Sequence, residues 1–204
     1  MTEPAGSNPP MGEELADLVA AAKAGDQAAF EDLVKATYAG TYTLAFRLTG
    51  NEEDASDVVQ EAYLRAYRSL KRFRGDARFT TWLYRITANC ATTHLKKRQR
   101  DRHEVLDDAD ELFDARPESD PEGRLGDADD RRILQAALQS LSPEMRAVVV
   151  LRDVYDLPHE AIAAELGISE GAAKVRLHRA RKKLRERLFP LRTELRDEET
   201  ARAV

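Results

Sequence analysis

Between Lys174 and Arg187 the chain places Lys174, Arg176, Arg179, Arg181, Lys182, Lys183, Arg185 and Arg187 against one acid, Glu186. Cations at this density neutralise phosphates, and an arginine can grip a guanine edge through two hydrogen bonds. Ala173, Leu177, Ala180, Leu184 and Leu188 recur among them at spacings of three and four, which predicts a helix with one buried seam and cationic flanks. Ser169 is a suitable N-cap, since its hydroxyl can accept from a free N–H of the first turn. Such a helix fits the major groove of DNA; a solvated basic face on a bundle helix is the plainer alternative. The preceding residues favour DNA. Leu157-Pro158 opens a short helix whose apolar contacts are Ala161, Ile162 and Leu166, followed by Ile168. Gly167 stands where the chain must turn at positive φ. Short helix, glycine turn and Ser-capped basic helix predict a helix-turn-helix over Pro158–His178, with small Ala163, Ala172 and Ala173 permitting close approach.

Two further constellations lie in the front half. On a predicted helix after Asn51, Asp57, Gln60, Glu61 and Leu64 share a stripe of acids and amide around one exposed leucine. That pattern suits docking onto a basic partner surface, or an ordinary solvated face. Next, KRFRGDARF (Lys71–Phe79) is a loop of cations and aromatics, followed by a helix offering Arg85, Asn89, Thr92, Thr93 and Lys96 on an outer face. Aromatics beside asparagine and threonine are what reading unstacked single-stranded bases needs. The same aromatics could equally be core, and the residue types alone do not decide between the two.

Enzyme chemistry has no comparable basis: there is no nucleophile–base set, metal cluster or phosphate-binding glycine loop, so no cofactor is expected. Cys90 and His94 lie one helical turn apart but have no further ligands near them, and no metal site is assigned. A single cysteine excludes an intramolecular disulfide. The net charge of −5 conceals a segregation: Glu104–Asp130 carries 12 acids against 2 arginines, so the remainder is net +5. No apolar run approaches the roughly 20 residues of a membrane span, and MTEPAGSNPPMGEE is no secretory signal, so a cytoplasmic protein without stable membrane insertion is expected.

Helices must position these groups. Leu15, Leu18, Val19 and Ala22 form one apolar face; after Gly25, Asp26 can cap a helix carrying Ala29, Phe30, Leu33, Val34 and Tyr38. An apolar run from Tyr42 to Leu48 ends at Thr49-Gly50. Ala55, Val58, Val59, Ala62, Tyr63, Ala66, Tyr67 and Leu70 fill one broad face of the next helix, and Thr80 or Thr81 can cap the one in which Trp82, Leu83, Ile86 and Cys90 are buried. Ile133, Leu134, Ala137, Leu138 and Leu141 mark a later helix, and Ser142-Pro143-Glu144 starts another. The expected fold is all-α: two small helical domains joined by a flexible acidic linker, the second ending in the helix-turn-helix. The boundaries are a disordered tail at 1–12, a first domain at 13–101, the linker at 102–128 with a short helical piece over Val105–Phe113, a second domain at 129–190, and a charged tail at 191–204, with Pro190 interrupting the basic helix.

This order of parts resembles a known family. NEEDASDVVQEAYLRAYRSLKRFRGDARFTTWLYRITANCATTHL is similar to region 2 of bacterial sigma factors, and SLSPEMRAVVVLRDVYDLPHEAIAAELGISEGAAKVRLHRARKKLRERL to region 4. Nothing between them resembles region 3, which points to the extracytoplasmic-function (ECF) group. The resemblance implies a factor that binds core RNA polymerase, recognises promoters and helps melt DNA. It implies docking of Asp57, Gln60, Glu61 and Leu64 on the clamp helices of the largest polymerase subunit. It implies single-stranded minus-10 contacts from Arg72, Phe73, Arg74, Phe79, Trp82, Arg85, Asn89 and Lys96, with a flipped base held by the loop near Asn89. It also implies duplex minus-35 contacts from Ser169, Lys174, Val175, Arg176, His178, Arg179 and Lys182, and an anti-sigma factor as a further partner. Many relatives have hydroxyl residues where this chain has Ala172 and Val175, so its upstream base preference is expected to differ; Val175 could meet a thymine methyl. The acidic linker resembles the segment that the family threads toward the RNA exit path, where its charge would mimic nucleic acid; a passive tether is the alternative. The competing readings are a conventional duplex-binding regulator that works without polymerase, and a sigma-like protein that titrates polymerase or sequesters a partner.

Overall fold

The computed structural model describes residues 13–106 and 127–202. The tail at 1–12 and residues 107–126 of the expected linker lie outside the described residues. The described elements are α1 (Glu13–Ala24), α2 (Gln27–Thr49), α3 (Glu52–Ser69), a 3-10 turn (Leu70–Arg72), α4 (Phe79–Leu106), α5 (Asp127–Gln139), α6 (Pro143–Asp153), α7 (His159–Leu166) and α8 (Glu170–Arg202). The all-α expectation holds.

Local chemistry sets most of the boundaries. Asp26 caps α2 by accepting from the Ala29 N–H at 3.1 Å, and Asn51 caps α3 by accepting from the Asp54 N–H at 2.8 Å. Between them, Gly50 ends α2 at φ 89°, with its N–H on the Phe46 carbonyl. Ser142 caps α6, ahead of a proline in its first turn. The two apolar stretches around Tyr38 and Tyr42 prove to be one 23-residue helix, because nothing between them breaks it: Gly40 is tolerated where Tyr84 packs on its bare face. α4 starts at Phe79, before the threonines expected to cap it, with the Trp82 N–H on the Arg78 carbonyl. It runs to Leu106, past the expected boundary at 101. α8 continues through Pro190 to Arg202, where a break was expected. A proline deletes one donor, and the leucines, arginines and glutamates on both sides favour helix.

α1–α4 pack mutually, and α6–α8 pack mutually. The halves also pack on each other: α2 against α5 and α6, and α4 against α6 and α7. One contiguous buried cluster runs from Leu33, Leu44 and Val58 through Leu83 to Val148, Leu151, Ile162 and Leu177. Arg146 seals the joint. Its buried guanidinium donates to the carbonyls of Leu138 (2.8 Å), Gln139 (2.9 Å) and Leu141 (3.0 Å), and across to Leu48 at the end of α2. Gln135 and Gln139 donate to the carbonyls of Phe46 and Arg47 beside it, at 2.9 and 3.3 Å.

Candidate nucleic-acid interface

The helix-turn-helix is built as its residues require. Gly167 terminates α7 at φ 63° and returns its N–H to the Ala163 carbonyl. Ser169 then caps α8, accepting from the Ala172 N–H at 3.1 Å. Ala173 and Ala180 are fully covered and Leu177 nearly so, which seats α8 against α6 and α7. This packing leaves Ser169, Lys174, Val175, His178, Arg179 and Lys182 exposed and Arg176 half-buried. Val175 is 50% exposed. Arg181 is committed elsewhere: its guanidinium pairs with both carboxylate oxygens of Asp153 on α6, at 2.5 and 3.0 Å.

The loop before α4 differs from one of its two readings. Phe73 and Phe79 are buried, and both rings pack on Trp82, with centroids 5.0 and 5.7 Å away. Lys23 of α1 ties the loop down by donating to the Phe73 carbonyl at 2.6 Å. As arranged, these two rings anchor the loop rather than offer a stacking platform, because burying them on the indole removes more apolar surface than exposing them would. Arg72 and Arg74 remain exposed, with Arg74 3.3 Å from Asp76; Trp82 is half-buried.

Arg85, Asn89 and Lys96 do share one side of α4, and that side faces α6 and α7. Asn89 donates its amide to the Glu165 carbonyl at 3.1 Å, with the Glu165 carboxylate at 3.5 Å. Arg85 Nε lies 3.5 Å from that carboxylate and has no hydrogen-bond partner. Lys96 pairs with Glu144 at 2.9 Å. Burial works to raise the Glu144 carboxyl, but Lys96, the helix N-terminal N–H and Ser142 more than offset it and hold the group below its ordinary range. A polar cleft of about 260 Å³ remains between the helices, lined by Asn89, Lys96, Glu144, Gly167 and Arg176 among others.

On α3, Asp57, Gln60 and Leu64 are exposed and Glu61 is partly covered, bonded to Arg65 at 2.6 Å. Tyr67, expected in the core, is 52% exposed and meets Phe30 edge-on at 4.9 Å, because its position has rotated onto the flank of the helix beside Leu64. Cys90 is buried, which pushes its thiol up to about 11. His94 instead bonds Asp54 at 2.8 Å. Among the described residues no three potential metal ligands cluster.

Sequence reasoning missed the partners across the joint: Glu165, Glu144, Arg146 and Tyr155. Tyr155 packs on Tyr84 at 4.6 Å and accepts from Arg47 at 3.1 Å. No periodicity links residues this far apart in the chain, so nothing local signals them.

A helix-turn-helix whose second helix exposes His178, Arg179 and Lys182, packed behind a helical half, is the architecture of a helical DNA-binding protein. The family models agree in detail: Sigma-70 region 2 matches residues 39–101 and Sigma-70, region 4 matches residues 131–184. The chain is 35% identical over 189 residues to the ECF RNA polymerase sigma-E factor of Escherichia coli, covering 89% of this chain and 98% of that protein. It is 42% identical over 174 residues to the ECF RNA polymerase sigma factor SigE of Mycolicibacterium smegmatis, covering 80% of this chain but only 64% of that longer relative. Among solved structures it resembles CnrH in complex with the cytosolic domain of CnrY (TM-score 0.58, 27% identity, 87% of this chain and 98% of that one). It also resembles the sigma factor RpoE of Bartonella quintana in complex with the anti-sigma factor NepR (TM-score 0.58, 25% identity, 78% and 96%). The chain belongs to the ECF RNA polymerase sigma factors, the alternative sigma factors that direct promoter-specific transcription. It is a transcription initiation factor. Among the described residues no helix is long and apolar enough to cross a membrane.

Proposed function

We propose that this chain carries out promoter-directed initiation through three surfaces. Asp57, Gln60, Glu61 and Leu64 dock on core RNA polymerase. Arg72, Arg74, Trp82, Arg85, Asn89 and Lys96 hold the melted minus-10 strand, with Phe73 and Phe79 shaping the loop. Ser169, Lys174, Val175, Arg176, His178, Arg179 and Lys182 read the minus-35 duplex. The observation that carries this reading is the free face of α8, where Val175, His178, Arg179 and Lys182 stand exposed on a helix fixed by its alanine seam. Val175 replaces a polar contact with an apolar one, which suits a thymine methyl. The domains at 13–101 and 129–190 divide the work, and the chain acts in the cytoplasm, where polymerase is. An anti-sigma factor is a further partner, as it is for the Bartonella quintana protein.

The test is run-off transcription with purified core polymerase on genomic fragments, with start sites mapped. Discrete start sites sharing two upstream elements, dependent on both core and this chain, are expected. Duplex binding by the chain alone with no new transcript would establish the regulator reading instead.

A further inference from the structure

We propose that Glu170, held beside Lys174 on the first turn of α8, is a specificity-determining residue that selects a C·G base pair in the upstream duplex. The proposal rests on the minus-35 reading of α8 made above. Glu170 is the first residue of α8, and Glu170, Lys174 and His178 stand exposed at successive spacings of four, one row along its free face. A recognition helix meets base edges with its N-terminal residues. A carboxylate at that end is repelled by phosphates and by acceptor atoms, and is accommodated only where a base offers it a donor. In the major groove those donors are the amino groups of cytosine and adenine. Adenine N6 sits between two acceptors, its own N7 and O4 of its thymine, whereas cytosine N4 has an acceptor on one side only, guanine O6.

Lys174 fills that side. Its Nζ lies 2.7 Å from Glu170 Oε1, a hydrogen-bond spacing, and cytosine N4 and guanine O6 are held at hydrogen-bond spacing by their own pairing. An acceptor beside a donor on the helix thus meets a donor beside an acceptor on the base pair. Glu170 accepts from cytosine N4, and Lys174 donates to O6 and N7 of the guanine. Lys174 also holds the Glu170 carboxyl below its ordinary range, so the acceptor is ionised at neutral pH. Gly171, next along, is exposed, and a Cβ there would meet only the Ser169 hydroxyl oxygen at 4.0 Å. The fold has room for a side chain at this position and the helix would gain from one. The bare backbone therefore answers no need of internal packing; it lets the first turn come close to a duplex.

The experiment uses holoenzyme reconstituted from core polymerase and the full chain, wild type or Glu170→Ala. The probes are labelled promoter duplexes in which each base pair of the mapped upstream element is replaced in turn by the other three. Competition binding at one fixed salt concentration gives their relative affinities. In the wild type one position should favour C·G over the other pairs by about tenfold, within the range for a base pair gripped by two hydrogen-bonding groups. In Glu170→Ala that preference should fall to within about twofold, chiefly because the rejected duplexes bind more tightly, while preferences at the other positions are kept. A uniform change in affinity for every duplex overturns the proposal, because that is what a mere helix-end or ion-pair contribution of Glu170 would give. Upstream preferences identical in the two proteins overturn it as well, and leave the minus-35 reading standing. Wild-type holoenzyme indifferent to every upstream substitution would overturn that reading itself and this proposal with it.

Discussion

Asp54 shows how much one side chain can organise. It follows the N-cap of α3 and is buried, yet it accepts from Asn51 Nδ2 at 2.6 Å, meets His94 at 2.8 Å and pairs with Arg98 near the end of the same helix, α4, that carries the strand-facing groups. Burial alone would raise its carboxyl above 3.8, but the bonds from Asn51 and His94 and the charge of Arg98 outweigh it and hold the group below that value. A depressed carboxylate stabilises the fold at pH above its unfolded value, and the contribution disappears as pH falls through the folded value. Asp54→Asn should therefore cost about 1–3 kcal/mol near neutral pH, the range for losing charge-assisted bonds to a buried group. The gap between variant and wild type should close as the solution is acidified below about pH 4. Urea titrations of both proteins at several pH values measure it; a gap that persists unchanged into acid would mean that the carboxylate charge is not what matters there.

At the scale of elements, the caps and seams were legible because each is a local event. Asp26, Asn51, Ser142 and Ser169 accept from the N–H three residues on, and the alanine–leucine seam of α8 follows from helical spacing alone. Tyr67 was misplaced because a face of eight residues is broader than the contact it makes, so its edge falls outside. The aromatic loop could not be decided from residue types, since Phe73 and Phe79 serve a core and a base platform equally well until Trp82 is seen between them. Gly40 was silent for the same reason. A Cβ there would fall 2.4 Å from the Tyr84 hydroxyl and 3.5 Å from the ring carbon behind it. Gly40→Ala gains about 1 kcal/mol of helix propensity. It loses about 1–3 kcal/mol to overpacking, because the Tyr84 ring is itself held against Tyr155. The net expectation is a loss. In a Tyr84→Phe background the oxygen is gone and only ordinary contact remains, so the same substitution should become neutral or stabilising. Thermal denaturation of the four proteins decides it: an equal effect of Gly40→Ala in both backgrounds would exclude the clash.

For the molecule as a whole, the long-range joint is the part the sequence did not disclose, and Arg146 is its centre. Residues 131–184 make a small unit, and a unit of that size has little core with which to stand alone. Arg146 compensates by tying the ends of α5 and α2 together through four carbonyl oxygens, at the negative poles of both helices. Burial lowers its pKa only to about 10, so it stays charged at neutral pH with helix ends rather than a carboxylate as counterpart. Arg146→Met keeps the apolar stem and strands those carbonyls. Leaving buried acceptors unmet costs about 1–3 kcal/mol each at most, so a total of roughly 2–5 kcal/mol is expected after local relaxation. The loss should fall on the second half and on its coupling to the first. Trp82 is the only tryptophan and lies on α4, so its fluorescence follows the first half, whereas far-ultraviolet circular dichroism follows helices in both. In the wild-type chain the two signals should lose their native values together in urea, as one cooperative unit. In Arg146→Met the dichroism should begin to fall at lower denaturant, with the Trp82 signal following later. Coincident curves for the variant at the wild-type midpoint would show that the halves are joined by their apolar contact alone.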